Sequence, residues 1–203
     1  MRSALVRQFR NPAGPMGALA GWIMATRPSN RRRNEWTVEL LQLRDGERVL
    51  EVGCGPGVGI AACLRAARLA QVVGADPSAL MLRQAARRNQ GAVAAGVLHL
   101  LNDALPELSA VSGPFHKAFS ANVLQFVPDV QGALLRLRGL LSPAGVLATT
   151  YQPRHAGATA DDAHRFAEHL SHAMAQSGFG GVRVEQLALV PLAVCVLGTR
   201  KEE

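Results

Sequence analysis

The sequence predicts an α/β fold in which helices cover both faces of a doubly wound sheet of seven strands. Short apolar runs alternate with helical patterns along most of the chain, which is typical of strand–helix–strand units with right-handed crossovers. A glycine-rich loop follows the first strand and leads into its helix. With 203 residues, 48% of them hydrophobic, the chain can bury one sizeable core.

Seven apolar runs are predicted to form the strands, at residues 49–52, 71–76, 97–101, 115–121, 146–151, 182–190 and 193–199. Helices are predicted over 60–69, 77–89, 130–141 and 160–176, with Asp129 capping the third of these and a turn at 142–145. A further helix is predicted to begin at Pro28-Ser29, with Ser29 as its N-cap and Trp36, Leu40 and Leu43 on its apolar face. We divide the chain into a basic helical segment, residues 1–44, which is a candidate lid, and a domain over residues 45–203.

The loop after the first strand carries glycines at the alternate positions 53, 55, 57 and 59. Glycine lets the backbone turn sharply and expose N–H groups, and a helix N-terminus follows, so the loop suits a polar or anionic ligand. A dinucleotide fingerprint does not fit, because its last glycine would fall on Val58 or Ile60. The Gly-Lys-Ser/Thr ending of a phosphate-binding loop does not occur either. A simple tight turn is the alternative.

With Glu51 in front of Gly53, Gly55 and Gly57, the loop resembles the first motif of class I S-adenosylmethionine-dependent methyltransferases, an acidic residue followed by G-x-G-x-G. The resemblance covers residues 47–200 and depends on motifs at four successive strand ends in the right order. It implies a Rossmann-like methyltransferase fold whose last two strands form an antiparallel hairpin. It also implies S-adenosylmethionine as cofactor, with cofactor contacts from Glu51, Gly53, Cys54, Gly55 and Gly57.

Asp76 ends the second strand, nineteen residues beyond Gly57. At about this offset a strand-end carboxylate can accept hydrogen bonds from both hydroxyls of a ribose. The alternative is an N-cap for the helix that opens at Pro77. The resemblance adds Pro77 and Met81 to the cofactor contacts, Met81 against the purine face, whereas a core methionine is the alternative.

Two later strand ends complete the predicted cofactor site. The resemblance implies that the Asp103 carboxylate accepts a hydrogen bond from the adenine amine and that the Ala104 N–H donates to a ring nitrogen. A turn capped by Asp103 is the alternative. The resemblance further implies that Asn122 and Val123, after the fourth strand, border the methyl-transfer centre, although Asn122 also suits a turn.

His155 lies just beyond the strand that ends at Tyr151. Strand carboxyl ends border the ligand crevice in such sheets, so His155 with Tyr151 is a candidate catalytic base or orienting pair. An ordinary loop histidine is the alternative.

Three side chains of the last predicted helix, His164, Glu168 and His172, have a spacing that could present metal ligands on one face. The buried face is expected roughly opposite, at Phe166, Ala167, Leu170 and Met174. We therefore expect the histidines to face water and predict no metal.

The net charge of +7 is concentrated at the start of the chain, because residues 1–36 hold seven arginines and one acid, Glu35. Such a segment can meet an anionic lipid surface, RNA or an acidic small molecule, or can simply be solvated. The resemblance implies that a helix before the first strand covers the pocket. Asn30 and Arg33 are therefore candidates for holding a carboxylate, either that of the cofactor's methionine or that of an acidic acceptor. Arginines that point outward are the alternative.

Three scattered cysteines without a C-x-x-C pair indicate neither a disulfide framework nor a zinc site. The apolar stretch 13–25 is interrupted by proline and glycine and is too short to span a bilayer. We expect a cytoplasmic protein, with peripheral membrane association as the alternative.

The function predicted from the sequence is methyl transfer from S-adenosylmethionine to a small-molecule acceptor. Such an enzyme mainly excludes water and aligns the acceptor, so no obligatory catalytic motif is expected. The chain lacks the Asn-Pro-Pro-Tyr type of tetrapeptide of amine-directed nucleic-acid methylases, which argues against a nucleic-acid substrate. The alternatives are methylation of a lipid, quinone or RNA through the basic segment, and a non-catalytic cofactor-binding protein. The sequence identifies neither the acceptor nor the oligomeric state.

Overall fold

A computed structural model describes residues 27–201, which form one seven-stranded sheet with helices on both faces. The strands are β1 (Arg48–Val52), β2 (Gln71–Ala75), β3 (Leu98–Leu101), β4 (Phe115–Ala121), β5 (Leu141–Tyr151), β6 (Phe179–Leu187) and β7 (Ala193–Arg200). The helices are α1 (Pro28–Leu41), α2 (Val58–Ala66), α3 (Ala79–Arg88), α4 (Gln90–Ala94), α5 (Val130–Leu140) and α6 (Ala160–Gln176), with a 3₁₀ turn at Leu124–Phe126.

The strand order is β3-β2-β1-β4-β5-β7-β6. Strands β1 to β5 are parallel, and β7 is antiparallel to both β5 and β6. This confirms the predicted doubly wound sheet and its C-terminal antiparallel hairpin. The chain winds outward from β1 to β3 and then returns to the other side of β1 at β4. That reversal opens a crevice at the carboxyl ends of β1 and β4, where ligands bind in open α/β sheets.

Alternate residues of the central strands enter two separate cores, as the period of two in a strand requires. Val49 packs under α1 and α2 with Ile60 and Phe119. Its neighbour Leu50 packs on the opposite face with side chains of α5 and α6. Helix α6 has the predicted bounds, and the Asp129 Oδ1 accepts the Gly132 N–H at 2.8 Å, which confirms the predicted cap of α5.

Helix α2 and strand β6 each begin and end earlier than predicted, and three further local predictions were wrong. Helix α1 begins at Pro28, so its N-cap is Arg27 and not Ser29, because the fixed φ of proline suits the first helical position. Helix α3 begins at Ala79 and not at the predicted Pro77, and its cap is Ser78, which rules out the alternative of Asp76 as the N-cap. The segment 142–145 lies within β5 as an irregularity, since Leu141 pairs with Phe115 and the pairing then resumes at Val146 and Lys117.

Helix α1 is held against the sheet by a buried face that is partly polar. Trp36 is buried as predicted, whereas Leu40 and Leu43 are only partly buried. The buried face includes Arg33, Thr37 and Leu41, which are four residues apart and therefore share one side of a helix. Thr37 Oγ1 donates to the Arg33 carbonyl at 2.8 Å and lies 2.6 Å from Thr150 Oγ1 of β5. A hydroxyl contact thus fixes α1 to the end of the strand.

Within residues 27–201 no helix is both long and apolar enough to cross a membrane.

We expect Thr37→Val to lower the free energy of unfolding by about 1–3 kcal/mol, because the buried Thr150 hydroxyl and the Arg33 carbonyl each lose a partner. The double variant Thr37→Val/Thr150→Val should recover part of this loss, since both hydroxyls of the contact are then removed. Urea unfolding measures both values. Equal stability of Thr37→Val and the wild type would contradict the anchoring role.

Candidate active site

The glycine loop leaves β1 at Gly53, whose φ of +66° lies in the left-handed region. A Cβ on Gly53 would lie 2.4 Å from Cγ2 of Val123, the second residue after β4. Only glycine allows this close approach, which brings the loop against the segment that follows β4. The structure therefore places the predicted site residues Gly53 and Val123 in contact at the switch point of the sheet.

Glu51 lies beneath the loop and is 2% exposed. Its Oε1 is packed against Gly59, where an added Cβ would be 2.3 Å away, and its carboxyl accepts the backbone N–H of Ile60 at the start of α2. Burial raises the pKa of Glu51 well above its ordinary value, and the negative charge of Asp76 raises it further. Glu51 thus orders the loop and the start of α2 from below, and its contact with the cofactor stays a prediction.

The Asp76 carboxylate joins the ends of β1 and β2. It is 7% exposed, and its two oxygens accept N–H groups from Gly55 at 2.8 Å and from Ser78 at 2.9 Å. Burial raises the pKa of Asp76, and the two hydrogen bonds act in the opposite direction. A carboxylate has about four lone-pair sites, so two remain for ligand hydroxyls. The geometry therefore fits the predicted ribose contact.

Two neighbours of this carboxylate are deeply buried. Met81 is 1% exposed, as expected for a core methionine, so its predicted contact with a purine stays a prediction. Cys54 is 3% exposed, and burial raises the pKa of its thiol well above the usual value, which keeps it protonated and unreactive. Pro77 is exposed beside Asp76.

Asp103, after β3, caps its own loop. Its Oδ1 accepts the Ala104 N–H at 2.9 Å, and its Oδ2 accepts the Ala110 N–H at 2.7 Å. The structure therefore contains the turn capped by Asp103 that was the alternative interpretation of this residue. The Ala104 N–H, predicted to donate to adenine, is occupied within the chain, and the adenine contacts of both residues stay predictions.

Asn122, after β4, is tied to the end of β5. Its φ is +59°, its Nδ2 donates to the Gln152 carbonyl at 2.8 Å, and its Oδ1 accepts the Gln152 N–H at 2.9 Å. This reciprocal pair fixes the two strand ends beside Val123 and the glycine loop. Asn122 therefore both forms a turn and borders the crevice.

The side chain of Gln152 is 0% exposed and accepts hydrogen bonds from two arginines. The sequence did not link these three residues. Gln152 Oε1 accepts from Arg33 Nη1 at 2.9 Å and from Arg154 Nη2 at 2.7 Å. Arg33 Nη2 also donates to Asn30 Oδ1, so the predicted pair Asn30 and Arg33 lies together beside the crevice. Gln152 and Arg154 belong to no motif, but their position just after a parallel strand was a usable signal.

His155 and Tyr151 lie near the start of α6. His155 Nε2 is 3.5 Å from Asp162 Oδ2 and Nδ1 is 3.2 Å from the Ala156 carbonyl, while the Tyr151 ring stacks on Phe166 at 4.2 Å. Burial raises the pKa of Tyr151, and the negative charge of Asp162 adds to the effect. His155 and Tyr151 contact different partners and not each other. A role as general base for either side chain stays a prediction.

The possible metal ligands of α6, His164, Glu168 and His172, are exposed. Ala167, Leu170 and Met174 are buried as predicted, whereas Phe166 is only partly buried. In the described part of the chain no three His, Cys, Asp or Glu side chains gather as a metal-binding group.

A glycine loop and a strand-end carboxylate at the switch point of a doubly wound sheet define an enzyme site for a cofactor that contains a nucleoside. The comparisons with known proteins agree. The family model described as "Methyltransferase domain" matches residues 50–147. The uncharacterized methyltransferase YdaC of Bacillus subtilis (strain 168) is 29% identical over 178 residues, which cover 87% of this chain and 95% of YdaC.

Trans-aconitate 2-methyltransferase of Rhodopseudomonas palustris (strain BisA53) is 36% identical over 108 residues, which cover 52% of this chain and only 39% of that enzyme. A solved structure with the same fold is the N-methyltransferase NodS from Bradyrhizobium japonicum WM9 in complex with S-adenosyl-L-homocysteine, with a TM-score of 0.71, 16% identity, and coverage of 89% of this chain and 92% of NodS. The family model, these relatives and the shared fold support the predicted class I S-adenosylmethionine-dependent methyltransferase family, with S-adenosylmethionine as the implied methyl donor. The predicted family, enzyme class and cofactor agree with these findings.

We expect Glu51→Gln to increase stability at neutral pH. The raised pKa means that folded Glu51 keeps a proton that the unfolded chain releases above about pH 4.5. The stabilisation from this proton is complete below that pH and is lost as the pH rises toward the folded-state pKa. Glutamine has a similar shape to the protonated acid and carries no titrating proton, so the variant avoids the loss.

Urea unfolding between pH 4.5 and 8 tests this expectation, with Glu39→Gln at an exposed position of α1 as control. The stability difference between Glu51→Gln and the wild type should grow with pH, whereas the control should stay within about 0.5 kcal/mol of the wild type. A constant difference for Glu51→Gln would show that Glu51 does not retain its proton in the folded state.

Proposed function

We propose that this methyltransferase acts on a small-molecule acceptor. The observation that carries the proposal is the convergence of polar side chains from α1, β4 and β5 beside the glycine loop. Neighbouring strands are about 4.8 Å apart, so Gly53 after β1 and Gln152 after β5 are separated by roughly 10 Å. This distance suits a small acceptor placed next to the cofactor.

The chain's own residues supply binding and orientation. Asp76 has free lone pairs for the ribose hydroxyls, and the glycine loop supplies a close backbone approach. S-adenosylmethionine provides a methyl group on a sulfonium, which is already a good electrophile. Alignment and exclusion of water are therefore the main tasks of the protein. Helix α1, fixed to β5 through Thr37 and packed against β4 and β5, lies beside the crevice.

Two further observations favour a small acceptor over a polyanionic one. The exposed arginines of α1 are paired within the chain, Arg31 with Glu35 at 3.0 Å and Arg32 with Glu39 at 2.9 Å, so this face presents little unpaired positive charge. The relative trans-aconitate 2-methyltransferase acts, by its name, on trans-aconitate, which is a small molecule.

Calorimetric titration of the full-length protein with S-adenosylmethionine, S-adenosylhomocysteine and NAD tests the cofactor site. We expect saturable binding of the first two and none of NAD. Methyl transfer from labelled S-adenosylmethionine to a panel of small molecules then tests the acceptor class. Binding of NAD alone would refute the cofactor assignment, and labelling of lipid or RNA but of no small molecule would refute the acceptor class.

We expect Asp76→Asn to weaken S-adenosylhomocysteine binding by about ten- to a hundredfold, because a hydrogen bond to a charged group contributes about 1.5–3 kcal/mol. Asp45→Asn is the matched control, because the Asp45 Oδ1 also accepts a backbone N–H, from Arg68 at 2.8 Å, but lies before β1 and away from the crevice. Calorimetry should give the control wild-type affinity. Unchanged affinity of a folded Asp76→Asn protein would refute the ribose contact.

A further inference from the structure

Two guanidinium groups meet on one amide oxygen at the end of β5. Arg33 comes from α1 and Arg154 from the segment after β5, and both donate to Gln152 Oε1. Arg154 is exposed at the surface and also donates to Ser29 Oγ at 3.1 Å, whereas Arg33 lies deeper and is 5% exposed. The two cations therefore occupy an outer and an inner position beside the same amide oxygen.

This pair has no carboxylate partner among residues 27–201. The acids of α1, Glu35 and Glu39, pair with arginines on the outer face of the helix. Residues 1–26 contain no Asp or Glu, so that segment has no side chain that could neutralise the pair. Burial and the nearby charge of Arg154 lower the pKa of Arg33 to about 9. Buried charges in folded proteins are normally paired, which makes this arrangement costly unless an anion joins it.

The hydrogen-bonding capacity also points to an additional acceptor. The two lone pairs of Gln152 Oε1 are both used by the arginines, and its Nε2 donates to the Pro191 carbonyl at 2.7 Å. Arg33 Nε is buried and has no hydrogen-bond partner in the described chain. A carboxylate accepts several hydrogen bonds and fits the planar fork of a guanidinium, so it matches the groups that are unsatisfied here.

We propose that Arg33, Arg154 and Gln152 form a subsite for a carboxylate of the methyl acceptor, and that the acceptor is therefore an acidic small molecule. This inference depends on the proposed methyl transfer to a small molecule. The reciprocal contact between Gln152 and Asn122 places the subsite next to the predicted methyl-transfer centre.

The charge of the ligand distinguishes the acceptor from the cofactor. The methionine end of S-adenosylmethionine carries an ammonium beside its carboxylate, and the sulfonium adds a second positive charge. Two guanidiniums without an acid disfavour such a cationic group. An acceptor with one or more carboxylates and no ammonium carries only negative charge, which is what two guanidiniums without an acidic partner attract.

The test is calorimetric titration of the full-length protein, saturated with S-adenosylhomocysteine, with acetate, succinate and citrate at constant ionic strength. Saturation with S-adenosylhomocysteine occupies any site for the cofactor's own carboxylate. We expect at least one of the three anions to bind, and its neutral methyl ester to bind at least tenfold more weakly.

Arg154→Gln and Arg33→Gln should each weaken anion binding by about ten- to a hundredfold while S-adenosylhomocysteine affinity stays within about threefold of the wild type. Arg154 is exposed, so its variant can be tested even where Arg33→Gln does not fold. Arg32→Gln is the matched control, because Arg32 lies on the same helix but pairs with Glu39 on the outer face, and it should bind the anion as the wild type does.

Three results would overturn the inference. The first is that no anion binds, and the second is that Arg154→Gln binds the anion as the wild type does. The third is that the anion binds only without S-adenosylhomocysteine and is displaced by it, because the arginines would then hold the cofactor's carboxylate. Failure of the proposed function has different signatures, because either S-adenosylhomocysteine would not bind or labelled methyl groups would enter lipid or RNA but no small molecule. In that case the same anion titration of the ligand-free protein and its Arg154→Gln variant still decides whether the arginines form an anion site.

Discussion

In the parallel part of the sheet every strand ends at the same edge, and the site depends on this constraint. Strands β1 to β5 deliver Gly53, Asp76, Asp103, Asn122 and Gln152 to that edge, although these residues are up to 99 positions apart in the sequence. The reversal between β1 and β4 opens the crevice, and the contact of Gly53 with Val123 shows how closely the two strand ends approach. The reciprocal hydrogen bonds between Asn122 and Gln152 extend this fixed edge to β5.

The electrostatic character of the edge changes from one side to the other. At β1 and β2 the groups are acidic, and burial raises the pKa of both Glu51 and Asp76. At β5 they are cationic, and burial lowers the pKa of Arg33 and of Arg154. Each shift has desolvation as its largest cause, and Glu51, Asp76 and Arg33 are buried before any ligand binds, whereas Arg154 stays exposed. The two ends of the crevice therefore offer polar groups of opposite charge in fixed positions.

Local signals predicted much of the fold, because they depend on residues close in sequence. The bounds of α6 and the Asp129 cap follow from helical periodicity and from a side chain that reaches its own helix. The Ser29 cap was wrong because the preceding proline already fixes the first helical turn. The strand-end glycines and Asp76 could be predicted from spacing, whereas the fit of Glu51 against Gly59 required the packed structure.

The three arginines at 31–33 show why sequence reasoning could not complete the acceptor side. Consecutive helical residues point about 100° apart, so a run of three cannot share one face. Arg31 and Arg32 meet acids on the outside, while Arg33 turns inward to Gln152, which is 119 residues away. Each of the three arginines adds the same +1 to the net charge, so the sequence does not distinguish them. Only the folded chain shows that Arg33 is buried and has no acidic partner among the described residues. Among the three arginines of α1, Arg33 is therefore the one that lies where the proposed ligand recognition needs it, and its position is set by the Thr37 contact with β5 one turn further along the helix.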